Sequence, residues 1–97
     1  MGAPVADEAC RADVWLWRAR FFKTRTLAAS IVESGRVRIS RGGLAGRLDK
    51  PSRPVKCGDE LIFAIGGHLT AVRIEALGVR RGPPAEARAL YRPLENS

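Results

Sequence analysis

The sequence predicts an α+β domain in which two helices are followed by strands and then by a short helix. Three observations carry the prediction. Apolar residues recur at helical spacing from Ala12 to about Ser34. From Arg36 the apolar period shortens to two. Glycine and proline then punctuate the chain at Gly35, Gly66-Gly67 and Pro83-Pro84. Ninety-seven residues suit one such domain, and an apolar content of 45% against 28% charged is ordinary for a folded chain.

Residues 1–10 contain Pro4, two acids by Glu8 and few large apolar side chains, so they read as a flexible tail. A first helix follows over Ala12 to Phe22. Ala12, Trp15, Leu16, Ala19 and Phe22 share one stripe, the expected core face. Trp17 and Phe21 fall on a different face, where they either stack on exposed bases or, the favoured reading, pack under the C-terminal segment near Leu90 and Tyr91. Thr24 suits the cap of a second helix, whose buried stripe is Leu27, Ala28, Ile31 and Val32 and which Gly35 terminates. Only two or three residues separate the helices on this reading, which makes them a close pair.

In "GRVRIS", Val37 and Ile39 face one way while Arg36, Arg38 and Ser40 face the other. The following "RGGLAGRLDKPSRP" reads as a mobile, exposed loop. "CGDE" marks a turn and "LIFAI" an apolar strand. Gly66-Gly67 makes a hairpin into "LTAVRIEAL", with Val72 and Ile74 on one side and Arg73 and Glu75 on the other. Pro83 and Pro84 open a last short helix that Pro93 stops near Tyr91 or Arg92. The divisions expected are a tail at 1–10, a domain at 11–65, and a hairpin strand with a helical extension at 66–97.

Charge is the unusual property. Fourteen Arg and three Lys face ten acids, for a net charge of +7 and a pI near 10.7. Such a balance favours polyanionic partners. The cations are also clustered. Arg11, Arg18, Arg20, Lys23 and Arg25 share a segment with one acid, Asp13, and Arg36, Arg38, Arg41, Arg47, Lys50, Arg53 and Lys56 share another with one acid, Asp49. Packing the second helix beside the first strand would merge them into one basic face. The start of that helix adds free N–H groups and a partial positive charge suited to phosphate.

Enzyme signatures do not accompany this charge. The single histidine, His68, falls at a hairpin turn, and Asp59-Glu60 read as turn chemistry rather than an acid–base pair. Neither a G-x-S-x-G elbow, a P-loop nor a metal-ligand spacing occurs. The expectation is a binding protein with no catalytic residues, metal or cofactor. Cys10 and Cys57 lack redox spacing and read as two reduced thiols, and no apolar run approaches the length of a membrane span. The chain is expected to be cytoplasmic, monomeric and without a membrane partner.

"RADVWLWRARFFKTRTLAASIVESGRVRI", then "KPS" and "GDELIF", resembles the S-four RNA-binding domain, whose fold is the alpha-L motif. With "RRGPPAEARALY" included, the chain is most similar to the heat shock protein fifteen family of bacteria. The resemblance implies two packed helices against a small antiparallel sheet, with RNA bound on the helices and the adjoining loop. By matching motif positions it implies RNA contacts at Arg11, Arg20, Lys23, Thr24, Arg25, Arg36, Arg38, Lys50, Ser52 and Arg53. It also implies ribosomal RNA and tRNA as partners, on a large ribosomal subunit stalled with a nascent chain, in rescue or quality control. Weaker DNA binding accompanies that reading. The alternative is a general nucleic-acid-binding or ribosome-assembly module with no rescue role. Two departures stand out. Ala12 occupies a usual Leu position, and "VRISRGGLAGRLD" replaces a shorter V-x-x-N-G hairpin.

Overall fold

The computed structural model describes residues 8–94. In chain order the elements are β1 (Cys10–Arg11), α1 (Ala12–Arg18), α2 (Arg25–Glu33), β2 (Val37–Arg41), β3 (Leu44–Leu48), β4 (Pro54–Val55), β5 (Glu60–Ile65), β6 (His68–Ile74), α3 (Pro84–Arg88) and β7 (Tyr91–Pro93). Five strands form one antiparallel sheet in the order β3-β2-β5-β6-β7, and β1 pairs with β4 in a separate two-stranded ribbon. Of the expected tail, residues 1–7 lie outside the described residues, and Cys10 is paired with Val55.

Period-two patterning sorts the sheet into two faces. Val37, Ile39, Leu48, Leu61, Phe63, Val72 and Ile74 are buried in one core with Trp15 and Leu16 of α1 and Ala28 and Val32 of α2. Arg38, Arg47, Glu60 and Arg73 alternate with them and face the other way. The Trp15 indole N–H, buried with its ring, donates to the Ala76 carbonyl at 2.9 Å, as a buried indole requires.

α1 ends at Arg18, a turn before the Phe22 expected from the sequence. Arg20 lies at φ +66°, its N–H donates to the Trp17 carbonyl, and the Phe21 N–H donates to the Leu16 carbonyl. These two bonds make a Schellman ending, with arginine where glycine is usual. Tertiary packing overrides the helical period here. Leaving the helix lets Phe21 reach Phe63 at 5.0 Å and Tyr91 at 4.7 Å between ring centroids, while Phe22 lies 6.0 Å from Phe63. Phe21 thus packs under the C-terminal segment, and Trp17 is covered by Arg81, whose guanidinium lies 5.8 Å from the ring centroid. The helix connection is therefore six residues, 19–24, rather than two or three.

The second helix starts where Thr24 predicted: its hydroxyl accepts the Leu27 N–H at 3.0 Å. Leu27, expected in the core, is 49% exposed. Because α1 stops early, no further turn of it runs beside the start of α2.

The expected loop after Ser40 is instead a hairpin. Gly42 and Gly43 have φ of +59° and +85°, the paired positive angles of a type I′ turn, which matches strand twist. β2 and β3 consequently pair from Val37↔Leu48 to Arg41↔Leu44. The last helix is also shorter than expected. It ends at Arg88, and Tyr91–Pro93 joins the sheet beside β6. Leu90 causes this break: its side chain is buried and its carbonyl accepts the N–H groups of Glu75 and Ala76.

Candidate nucleic-acid interface

Three groups of cations are placed by these elements. The first surrounds the start of α1. The Ala12 N–H donates to the Arg53 carbonyl at 2.9 Å and the Asp13 N–H to the Pro51 carbonyl at 3.2 Å. The "KPSR" turn thereby satisfies two of the helix's open N–H groups, Asp13 Oδ1 accepting a third from Val14, and Lys50, Ser52 and Arg53 are fixed beside Arg11. Arg11 donates through Nε and Nη2 to the carboxylate of buried Asp13, at 3.1 and 3.0 Å. That hydrogen bond holds the guanidinium above even its usual pKa.

The second group is at the start of α2, where Lys23, Thr24 and Arg25 are all exposed. A groove of about 650 Å³ runs beside it, lined by Asp13, Arg25, Thr26, Ala29, Ser30 and Glu33. Its small side chains leave the helix flank open to close approach.

The third group lies at the other end of α2, on β2 and β3. Arg38 and Arg47 are direct partners across the ladder, both exposed, and neither enters an ion pair among the described residues. Like charges placed directly opposite destabilise a sheet, so this pair costs stability unless an anion bridges it. Arg47 also lies over the exit of α2: a side chain at Gly35 would come within 3.3 Å of its Cδ. Arg36 follows Gly35 and is exposed too. The two groups at the ends of this nine-residue helix are separated by about 14 Å along its axis.

Arg20 behaves differently from the other candidates. Its Nε donates to the Gly82 carbonyl at 2.7 Å, tying α1 to the C-terminal segment. Arg18 binds the carbonyls of Leu77 and Gly78, and Arg81 binds those of Trp17 and Phe22. These arginines fasten residues 76–82 onto the first helix. Arg41 is structural as well. It grips buried Asp59 through two bonds of 2.9 and 2.7 Å, and that hydrogen bonding raises its pKa. Asp59 also accepts the Lys56 N–H, which is the turn chemistry its sequence suggested.

The pairing sets Arg47, which the sequence-derived candidates omit, directly opposite Arg38. Its signal was the Gly-Gly pair at 42–43, which, taken as a two-residue turn, sets Arg47 opposite Arg38. Among the described residues, no group of three His, Cys, Asp or Glu side chains is placed to hold a metal ion. No helix among them is long and apolar enough to cross a membrane.

No protein-family model matches the chain, but individual proteins do. Heat shock protein 15 of Escherichia coli is 38% identical over 81 residues, covering 84% of this chain and 57% of that protein. The RQC P-site tRNA stabilizing factor of Bacillus subtilis is 37% identical over 67 residues, 69% of this chain and 72% of that one. The trimeric structure of heat shock protein 15 from Vibrio cholerae superposes with a TM-score of 0.79 at 38% identity, covering 90% of this chain and 83% of its own. This chain thus spans a little over half the length of the Escherichia coli relative.

Proposed function

The chain belongs to the heat shock protein 15 family, and on that premise we propose that it is a non-enzymatic, cytoplasmic RNA-binding protein of the large ribosomal subunit. It engages ribosomal RNA and tRNA where that subunit is stalled with a nascent chain. The observation that carries the RNA-binding part is the Arg38–Arg47 pair. Two guanidinium groups with no ion-pair partner among the described residues are held opposite each other on an exposed ladder, which a phosphate backbone neutralises. Arg11, Lys23, Thr24, Arg25, Arg36, Lys50, Ser52 and Arg53 extend the same band. Arg20 contributes through its Nη groups, for which no hydrogen bond is found among the described residues, while its Nε holds Gly82. The tRNA part is supported by the name of the Bacillus subtilis relative. One copy is the binding unit on this reading, because a single chain supplies the whole band.

Sedimentation of the tagged protein with lysate, before and after translational stalling, tests the role. Recovery with free large subunits carrying peptidyl-tRNA is expected. Recovery only with small subunits would favour the ribosome-assembly alternative. Five to seven phosphate contacts would give affinity for duplex RNA a log–log salt slope of about −4 to −6, and a flat dependence would exclude the electrostatic account.

A further inference from the structure

Beneath the β2–β3 hairpin lies a cavity of about 250 Å³ lined by Ile39, Arg41, Leu44, Ala45, Gly46 and Arg53. Gly46 has no conformational or packing reason to be glycine. Its φ is not in the left-handed region, and a Cβ there would meet nothing within 4 Å. Glycine inside a strand sacrifices packing, and a common reason for it is close approach of another molecule. Leu44, on the same side of the hairpin, is 80% exposed and uncovered. The cavity therefore combines an apolar lining, an open floor at Gly46 and two guanidinium groups, with no carboxylate among its lining residues.

We propose that this cavity receives the base of one unpaired RNA nucleotide. The inference rests on the RNA-binding reading above and specifies what the hairpin adds to it. Arg41 is locked flat by Asp59 and by the Pro54 carbonyl, so its charge is matched while its planar face remains suited to stacking. Arg53 makes only a 3.4 Å contact to the Arg47 carbonyl and has no carboxylate partner among the described residues. It is the cation that meets the nucleotide's phosphate. Base faces stack on guanidinium planes and apolar side chains without strong sequence preference, so the slot selects an unpaired nucleotide rather than a particular base.

The test compares two RNA duplexes, identical except that one carries a single unpaired 2-aminopurine. The natural protein should bind the bulged duplex about tenfold tighter, the scale of one stacked base, with a change in 2-aminopurine emission. Gly46→Leu puts an apolar side chain into the cavity, and its Cβ meets nothing within 4 Å. It should abolish the preference and the emission change, while leaving affinity for the paired duplex unaltered and the melting temperature no lower than that of the natural protein. Leu44→Ser, on an exposed side chain, should weaken the preference independently. Equal affinity of the natural protein for both duplexes would overturn the proposal, as would a preference that survives Gly46→Leu. Failure to bind either RNA would overturn the RNA-binding reading, and the slot with it.

Discussion

Arg20 holds the Gly82 carbonyl at 2.7 Å from a backbone at φ +66°, so one residue both ends the first helix and anchors the C-terminal segment. A non-glycine residue in that region costs about 1–2 kcal/mol, and the contact to Gly82 offsets it. Arg20→Ala keeps the strain and loses the contact, and should destabilise the fold by about 1–2 kcal/mol. Arg20→Gly loses the same contact but relieves the strain, and should be near neutral. Urea denaturation of the two variants checks this; equal losses would show that backbone strain plays no part.

Stability and binding should move in opposite directions at the Arg38–Arg47 pair. Removing either charge relieves like-charge repulsion worth about 0.2–1 kcal/mol, so Arg47→Ala should melt at or above the natural protein's temperature. Its RNA affinity should fall, and the salt slope should flatten by about 0.7–0.9 for the phosphate contact removed. Parallel melting curves and salt titrations measure both, and an unchanged slope would remove Arg47 from the interface.

Asp59 is one of two buried acids among the described residues. It is buried and accepts from both Arg41 and the Lys56 N–H. Removing one partner of a buried pair costs up to about 3–5 kcal/mol. Arg41 is 46% exposed and regains solvent, so Asp59→Ala should cost about 2 kcal/mol. A loss below half a kcal/mol by chemical denaturation would contradict the role assigned to the turn.

Burial pushes the Cys10 thiol up, and the nearby Arg18 only partly counters it. The folded state therefore holds this proton more tightly than the unfolded chain does. The associated stability is fully present below the ordinary thiol pKa of about 8.5 and is lost as pH rises through the raised folded value. Iodoacetamide labelling, resolved by peptide mapping, should give Cys10 a higher reaction midpoint in the folded protein than in urea. An equal or lower midpoint would contradict the desolvation.

The helix starts and the sheet's inner face were legible because local rules decide them. Thr24 caps, Pro84 opens a helix, and Val37, Ile39, Val72 and Ile74 alternate with polar neighbours. The misreadings occur where distant contacts outweigh local period. Phe21 and Phe22 leave the helix for Phe63 and Tyr91, and Leu90 breaks the last helix to reach the core. The β3 strand was obscured differently. "LAGRL" has weak strand composition and is exposed over most of its length, so pairing alone reveals it. The clusters of cations were readable along the sequence, but position separates arginines that face solvent from those, such as Arg18 and Arg81, that hold backbone carbonyls.

The clamps on the first helix also set a schedule for synthesis. Trp15, Arg20 and Arg81 close contacts spanning 61, 62 and 64 residues. The earliest helix to leave a ribosome must therefore wait for nearly the last part of the described fold before its partners exist. Closure of such long loops slows folding relative to local contacts. A nascent chain stopped after residue 75 should remain open to protease across residues 12–22, and protection should arrive abruptly once residue 82 has emerged.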